Sequence, residues 1–235
     1  MCAVLGAYLK NPTASDLELV SRLLLESSIR GLHATGATMF TKKGLRTIIE
    51  PAPAMEWLNR HKPSIGNSVN SDGEFYMVAH CRYSTSDLAY NQPMFSEHFS
   101  IVHNGVITQE MPENWLNLYG FECKTRNDSE LILKCLENGL TDVAISPLER
   151  FPDASMAVIE LYKEKKIRFY RNGKRPLYLT NVSNGYIITS TADIPRRAGL
   201  KDSSLIDMNT YYTIEGDSLS KQFVNIPGAV DLQNG

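Results

Sequence analysis

The sequence predicts one α+β domain in which two β-sheets stack face to face between helices. Three observations carry this. Short apolar segments of strand length stand at both ends of the chain. Segments with helical spacing lie between them, around residues 15–24, 55–61 and 127–139. The 235 residues, 43% hydrophobic and 21% charged, suffice for one sizeable core. Strands at both ends with helices between them put the helices outside a pair of sheets.

The elements follow in order. Residues 3–9 are short and apolar and read as a strand. Ser15, with Glu18 three residues on, has the form of a capping box, and Leu17, Val20 and Leu24 share one face of the helix it would start. Residues 36–40 and 46–50 read as paired strands joined by Lys42-Lys43-Gly44. A helix over 55–61 should stop before Pro63, whose ring disfavours helical geometry in the residue ahead of it. Residues 75–81 and 99–103 read as buried strands. Asn127 or Asp128 should cap a helix carrying Leu131, Ile132, Cys135 and Leu136 and ending near Gly139. Residues 155–161 and 166–171 resemble a hairpin around Lys163-Glu164-Lys165, and strands follow at 176–180 and 186–190. Residues 227–235 read as a polar tail on the single domain 1–235.

Composition excludes several classes. Net charge is −2, and no basic face or run of like charge points to nucleic acid. No apolar stretch has membrane-spanning length, and the N-terminus lacks the pattern of a signal peptide. Cys2, Cys81, Cys123 and Cys135 show no CxxC spacing, so neither a zinc site nor a disulfide framework is indicated, and a reducing, cytoplasmic setting is expected. No metal or cofactor is expected.

Cys2 is the most informative position. Its small side chain suits removal of Met1, which would leave a free α-amine with a pKa near ~8 beside the thiol. That amine can act as the general base that makes the thiolate, the reactive form. On position alone, Cys2 is better explained as a small buried residue opening a strand.

The segments downstream change the balance. The chain opens Cys2-Ala3-Val4-Leu5-Gly6, and five further segments follow in order: Arg30-Gly31-Leu32-His33-Ala34-Thr35-Gly36, His80-Cys81-Arg82-Tyr83-Ser84-Thr85, Gln92-Pro93, His103-Asn104-Gly105-Val106-Ile107 and Asn127-Asp128-Ser129-Glu130. In this order they resemble the class II glutamine amidotransferases, whose motifs are an N-terminal cysteine, an RG turn, H-x-R-[WY]-[AS]-T, QP, HNG and D-[ST]-E. Arg175-Pro176-Leu177 and Ser190 extend the resemblance to about residue 200.

The resemblance implies a four-layer αββα sandwich of two mostly antiparallel sheets, the N-terminal-nucleophile hydrolase fold. It implies that Cys2 attacks the side-chain amide of free L-glutamine, giving glutamate and ammonia. Asn104 and the Gly105 amide would hold the oxyanion, although Asn-Gly also reads as a tight turn. Arg82 would clamp the α-carboxylate and Asp128 would receive the ammonium, with capping of a helix as the other reading of Asp128. Tyr83, Thr85, Ser86 and His103 complete the substrate-binding set. His80 and His103 read as ordered core histidines, not as the catalytic base. Residues 86–98 read as a mobile cover over the site. Departures from the family pattern are Ala3, His33, Ser86, Gln109 and Thr191, the last where an acid is usual. Ammonia would pass to a separate synthase or ligase, with no nucleic acid or membrane as partner and homo-oligomerisation left open. Two other readings stand beside this one: an amidohydrolase for another small amide, and a non-catalytic binding domain that keeps the fold.

Overall fold

The computed structural model describes residues 2–84, 89–139 and 146–233. The first half of the chain runs β1 (Ala3–Lys10), α1 (Ala14–Ser27), β2 (Ala34–Thr41), β3 (Gly44–Glu50), α2 (Ala54–Gly66), β4 (Glu74–Arg82), β5 (Met94–Phe95) and β6 (Phe99–Val106). The second half runs α3 (Trp115–Tyr119), α4 (Glu130–Asn138), α5 (Pro147–Arg150), β7 (Ser155–Tyr162), β8 (Lys166–Arg171), β9 (Tyr178–Val182), β10 (Gly185–Thr189), α6 (Asp193–Arg197), β11 (Ser204–Leu205), β12 (Thr210–Glu215) and β13 (Ser218–Phe223). Two sheets result, in the orders β11-β9-β10-β1-β4-β2-β3 and β13-β12-β8-β7-β6-β5, with antiparallel pairing throughout. The architecture is α+β, with helices against the outer face of each sheet.

Side-chain parity explains the layers. Along β1, Ala3, Leu5, Ala7 and Leu9 join the cluster that includes α1 and α2, while Val4 and Tyr8 join the cluster between the sheets. Gly6 shares the inner face, where an added Cβ would stand 3.1 Å from Ile159. Strand β4 repeats the pattern: Phe75, Met77, Ala79 and Cys81 face the helices, and Tyr76 and Val78 face the other sheet. The same parity puts Cys2, His80 and Arg82 on the inner side. In β6, Val102 faces inward, and Ser100 donates to Thr38 across the gap at 2.7 Å. Phe99 and Ile101 face the helical layer of α4.

Several elements differ from the sequence reading. The capping box of α1 is Thr13 with Asp16, not Ser15 with Glu18. The Thr13 hydroxyl accepts from Asp16 N at 3.2 Å, and the Asp16 carboxylate accepts from Thr13 N at 2.7 Å. Helix α2 passes through Pro63 to Gly66. A proline this close to the C-terminus removes one helical donor, and the buried Ala54, Trp57, Leu58 and Ile65 hold the helix across it. Strand β6 extends to Val106, so Asn104 and Gly105 lie within a paired strand opposite Ala157 and Met156, not in a tight turn. Asp128 does not cap α4, whose N-cap is Ser129 without a side-chain bond. Strands β12 and β13 carry no strong alternation and were not expected; β12 is held from both sides, by β8 and β13.

Candidate active site

The site lies where the open ends of the two sheets meet. Cys2 stands one residue before β1, across from the end of β4, where Ala3 pairs with Cys81. Its position is fixed by neighbours on two sides. Arg30 Nε donates to Cys2 O at 3.2 Å, while Val4 N donates to Ser190 Oγ at 2.7 Å. Gly31 lets the Arg30 turn approach β4: a Cβ there would stand 2.4 Å from Cys81 O. Cys2 Sγ has Tyr83 O at 4.0 Å. Tyr83 itself is exposed, and its ring packs on His33 with centroids 4.9 Å apart. His33 Nδ1 accepts from Ser84 N at 2.9 Å, so the residue that departs from the family's RG turn secures the start of the next loop.

A cleft of about 340 Å³ opens beside Cys2, and Arg82, Gln92, His103, Gly105 and Asp128 are among the residues lining it. This volume suits a small polar metabolite. A larger cavity of about 710 Å³ on the outer face of the second sheet, lined by Phe99, Arg168 and Tyr211 among others, contains none of the candidate residues.

Two charged groups in the cleft are anchored and still have capacity to bind. Arg82 Nη1 donates to Tyr90 O at 2.6 Å and Asn91 Oδ1 at 2.7 Å, while its Nε and Nη2 have no protein partner among the described residues. Asp128 Oδ2 accepts from Ile107 N at 2.6 Å and Thr108 N at 3.3 Å, and Oδ1 is without a partner there. Asp128 therefore ties the segment after β6 and leaves one acceptor toward the cleft. Asn127, not Asp128, makes the local turn: its Oδ1 accepts from Ser129 N at 3.1 Å.

Asn104 and Gly105 stand side by side near the end of β6. Asn104 is 4% exposed, and its Nδ2 has no hydrogen-bond partner among the described residues. Gly105 sits at φ +152°, and an added Cβ would stand 1.8 Å from Ser155 O. Only glycine fits there.

The sequence marks Gln92, Gly36 and Ser129 as motif positions, but not the bonds and contacts they make. Gln92 is buried; its Oε1 accepts from His103 N at 2.6 Å, and its Nε2 donates to His103 O and Ser129 Oγ, both at 3.1 Å. Gly36 gives that segment room, since a Cβ there would stand 2.2 Å from Gln92 O. Met94 and Phe95 pair with Ile101 and Ser100. Of the expected cover over 86–98, the part from Gln92 on is thus a fixed component of the second sheet. Thr85 and Ser86 lie outside the described residues.

Both histidines are buried and neutral. His103 Nε2 contacts Ser155 O at 3.2 Å, so it carries the proton, and Nδ1 accepts from Ser129 Oγ at 2.9 Å. Burial lowers its pKa, against the opposing pull of Asp128. Burial, with His103 and Arg82 nearby, pushes His80 down to about 3. Below about pH 6.5 the unfolded chain takes up protons that the folded His80 refuses, so stability should fall as pH drops, by on the order of 1 kcal/mol per pH unit from this side chain. Urea midpoints at pH 7.5, 6 and 5 should decline steadily; a flat profile over this range would show that the imidazoles are not buried neutral. Burial also pushes the thiols of Cys81, Cys123 and Cys135 up to about 12.

This architecture recurs in solved structures. The glutamine phosphoribosylpyrophosphate amidotransferase from B. subtilis superposes at TM-score 0.73 and 14% identity, over 94% of this chain and 49% of that one. A structure described as the allosteric regulatory enzyme of purine biosynthesis gives 0.74 and 14%, with the same coverage. A glutamine aminotransferase class-II domain protein from Silicibacter pomeroyi gives 0.59 and 12%, over 95% of this chain and 99% of that one. The fold is that of the class II glutamine amidotransferases. The chain spans about half the length of the first two proteins, 49% in each case. No protein-family model and no curated protein matches the sequence. No helix among the described residues is long and apolar enough to cross a membrane. Within the class II amidotransferase fold, Cys2, Arg82, Gly105 and Asp128 border one cleft, with Asn104 beside Gly105 in β6.

Proposed function

We propose that the protein hydrolyses the side-chain amide of free L-glutamine through a thioester on Cys2. The observation that carries this reading is the shared cleft: a half-buried thiol, an arginine with unused donors and an aspartate with an unused acceptor face the same 340 Å³. A free α-amino acid presents a carboxylate and an ammonium, the complement of that pair.

The Cys2 thiolate attacks the amide carbon, and the negative charge formed on oxygen is taken by Asn104 Nδ2 and the Gly105 amide. The α-amine of Cys2, freed by removal of Met1, accepts the thiol proton and passes it to the departing nitrogen. Ammonia leaves, water attacks the thioester, and glutamate departs as the thiol re-forms. Arg82 holds the α-carboxylate and Asp128 the ammonium, with His103 lining the same cleft. Ammonia then passes to an acceptor on a separate synthase or ligase by direct docking, because ammonia released into water would be protonated and lose its nucleophilicity.

The test is the intact mass before and after treatment with a glutamine-like diazo-ketone. Loss of Met1 and one adduct, suppressed by excess glutamine, are expected. A retained Met1, or a protein that stays unlabelled in the presence of cell extract, would favour a binding domain.

A further inference from the structure

We propose that Asp231, in the C-terminal segment, is a positioning residue for the Gly105 amide. The inference rests on the reading of that amide as an oxyanion donor.

The starting point is a buried charge. Arg171, at the end of β8, is fully buried, and a guanidinium does not lose its proton. Its Nη1 and Nη2 fork onto the two oxygens of Asp231 at 2.8 and 2.7 Å, and its Nε donates to Ile206 O at 2.8 Å. A buried arginine bound in this bidentate way depends on its counter-charge for a fixed geometry. The segment around Asp231 is seated closely. Leu232 N donates to Gly173 O at 2.9 Å, and a Cβ on Gly173 would stand 2.0 Å from Val230 O.

The next residue, Asn172, carries the constraint toward the cleft. Its Nδ2 donates to Ala154 O at 2.6 Å, its Oδ1 accepts from Met156 N at 3.1 Å, and its N donates to Met156 O at 3.1 Å. These bonds bracket Ser155. Ser155 Oγ accepts from Val106 N at 3.1 Å, and Ser155 O accepts from His103 Nε2. The same carbonyl lies so near the Gly105 backbone that no Cβ fits between them. Asp231 is thus joined to Gly105 by its ion pair with Arg171, by the bonds of the next residue, Asn172, to the residues on either side of Ser155, and by the close approach of Ser155 O to Gly105. A small shift of a catalytic donor is costly, because the oxyanion is held only at correct geometry.

The test uses Asp231→Asn and Asp231→Glu in the full chain. Asp231→Asn should lower kcat for glutamine about 10-fold and leave KM within about twofold. The rate of Cys2 alkylation by iodoacetamide, a displacement that forms no oxyanion, should not change. In a backbone-assigned 15N spectrum the Gly105 and Val106 amides should shift, while those of the β2–β3 hairpin stay in place. Asp231→Glu should recover most of kcat and most of the Gly105 position. An unmoved Gly105 amide with unchanged kcat overturns the inference, and so does a joint fall of kcat and alkylation, which would mean general loosening of the site. If Asp231→Asn does not fold, Asp231→Glu decides, by a smaller Gly105 shift with a smaller loss of kcat, or by neither. Absence of glutamine turnover in the wild-type protein would sink the glutaminase reading alone, since the Gly105 shift is read without turnover.

Discussion

Replacing Cys2 with alanine should abolish ammonia release from glutamine, lowering kcat by about 10⁴-fold or more, the scale seen when a hydrolase loses its nucleophile. No other thiol can substitute. Cys81 and Cys135 are buried, and burial holds these and Cys123 up to about 12, so none supplies a thiolate at neutral pH. The fold should survive the change. Cys2 is only half-buried, and its sulfur has one weak contact, to Tyr83 O, so the stability change should stay within about 1 kcal/mol. The main-chain anchors, from Arg30 to Cys2 O and from Val4 N to Ser190, do not involve the side chain. A coupled ammonia assay with a thermal melt of the same sample checks both halves. Residual turnover within tenfold of wild type would place the nucleophile elsewhere.

Asn104→Ala is expected to lower kcat about 10²- to 10³-fold, as loss of one oxyanion donor does, with little change in KM. Its effect on stability should be the reverse of what a buried amide usually predicts. A buried donor with no partner costs about 1–3 kcal/mol, and Asn104 Nδ2 is such a donor among the described residues. Removing it relieves that cost and offsets the lost packing, so the melting temperature should hold or rise. A donor that burdens the fold and acts only when negative charge forms has the signature of a catalytic group. A loss of several kcal/mol with kcat unchanged would instead make Asn104 a structural residue.

The N-terminal position of Cys2, the order of the motifs and the apolar strands over 3–9 and 75–81 are legible in the sequence. Both faces of these strands are apolar, so only the stacking of the layers decides that Val4, Tyr8, Tyr76 and Val78 meet the other sheet while Leu5, Leu9, Phe75 and Met77 meet the helices. Helix capping was less legible, because Thr13-Asp16 and Ser15-Glu18 both satisfy the spacing rule, and the choice depends on where the chain leaves β1. The Asn-Gly pair in β6 read equally as a turn, since its local preference is strong; pairing with β7 overrides it.

What the tertiary structure decided is how the site is supported. Gln92, Ser129, Ser155 and Arg30 hold His103 and Cys2 through bonds between residues from 11 to 52 positions apart. Asp128 ties the segment after β6 instead of capping α4, for the same reason. Asp231 reaches Arg171 from 60 residues away. Propensity and periodicity act over a few residues, so they reveal elements, their faces and short motifs. Which buried donor meets which acceptor is set only when the two sheets stack and most enclosed polar groups find a partner.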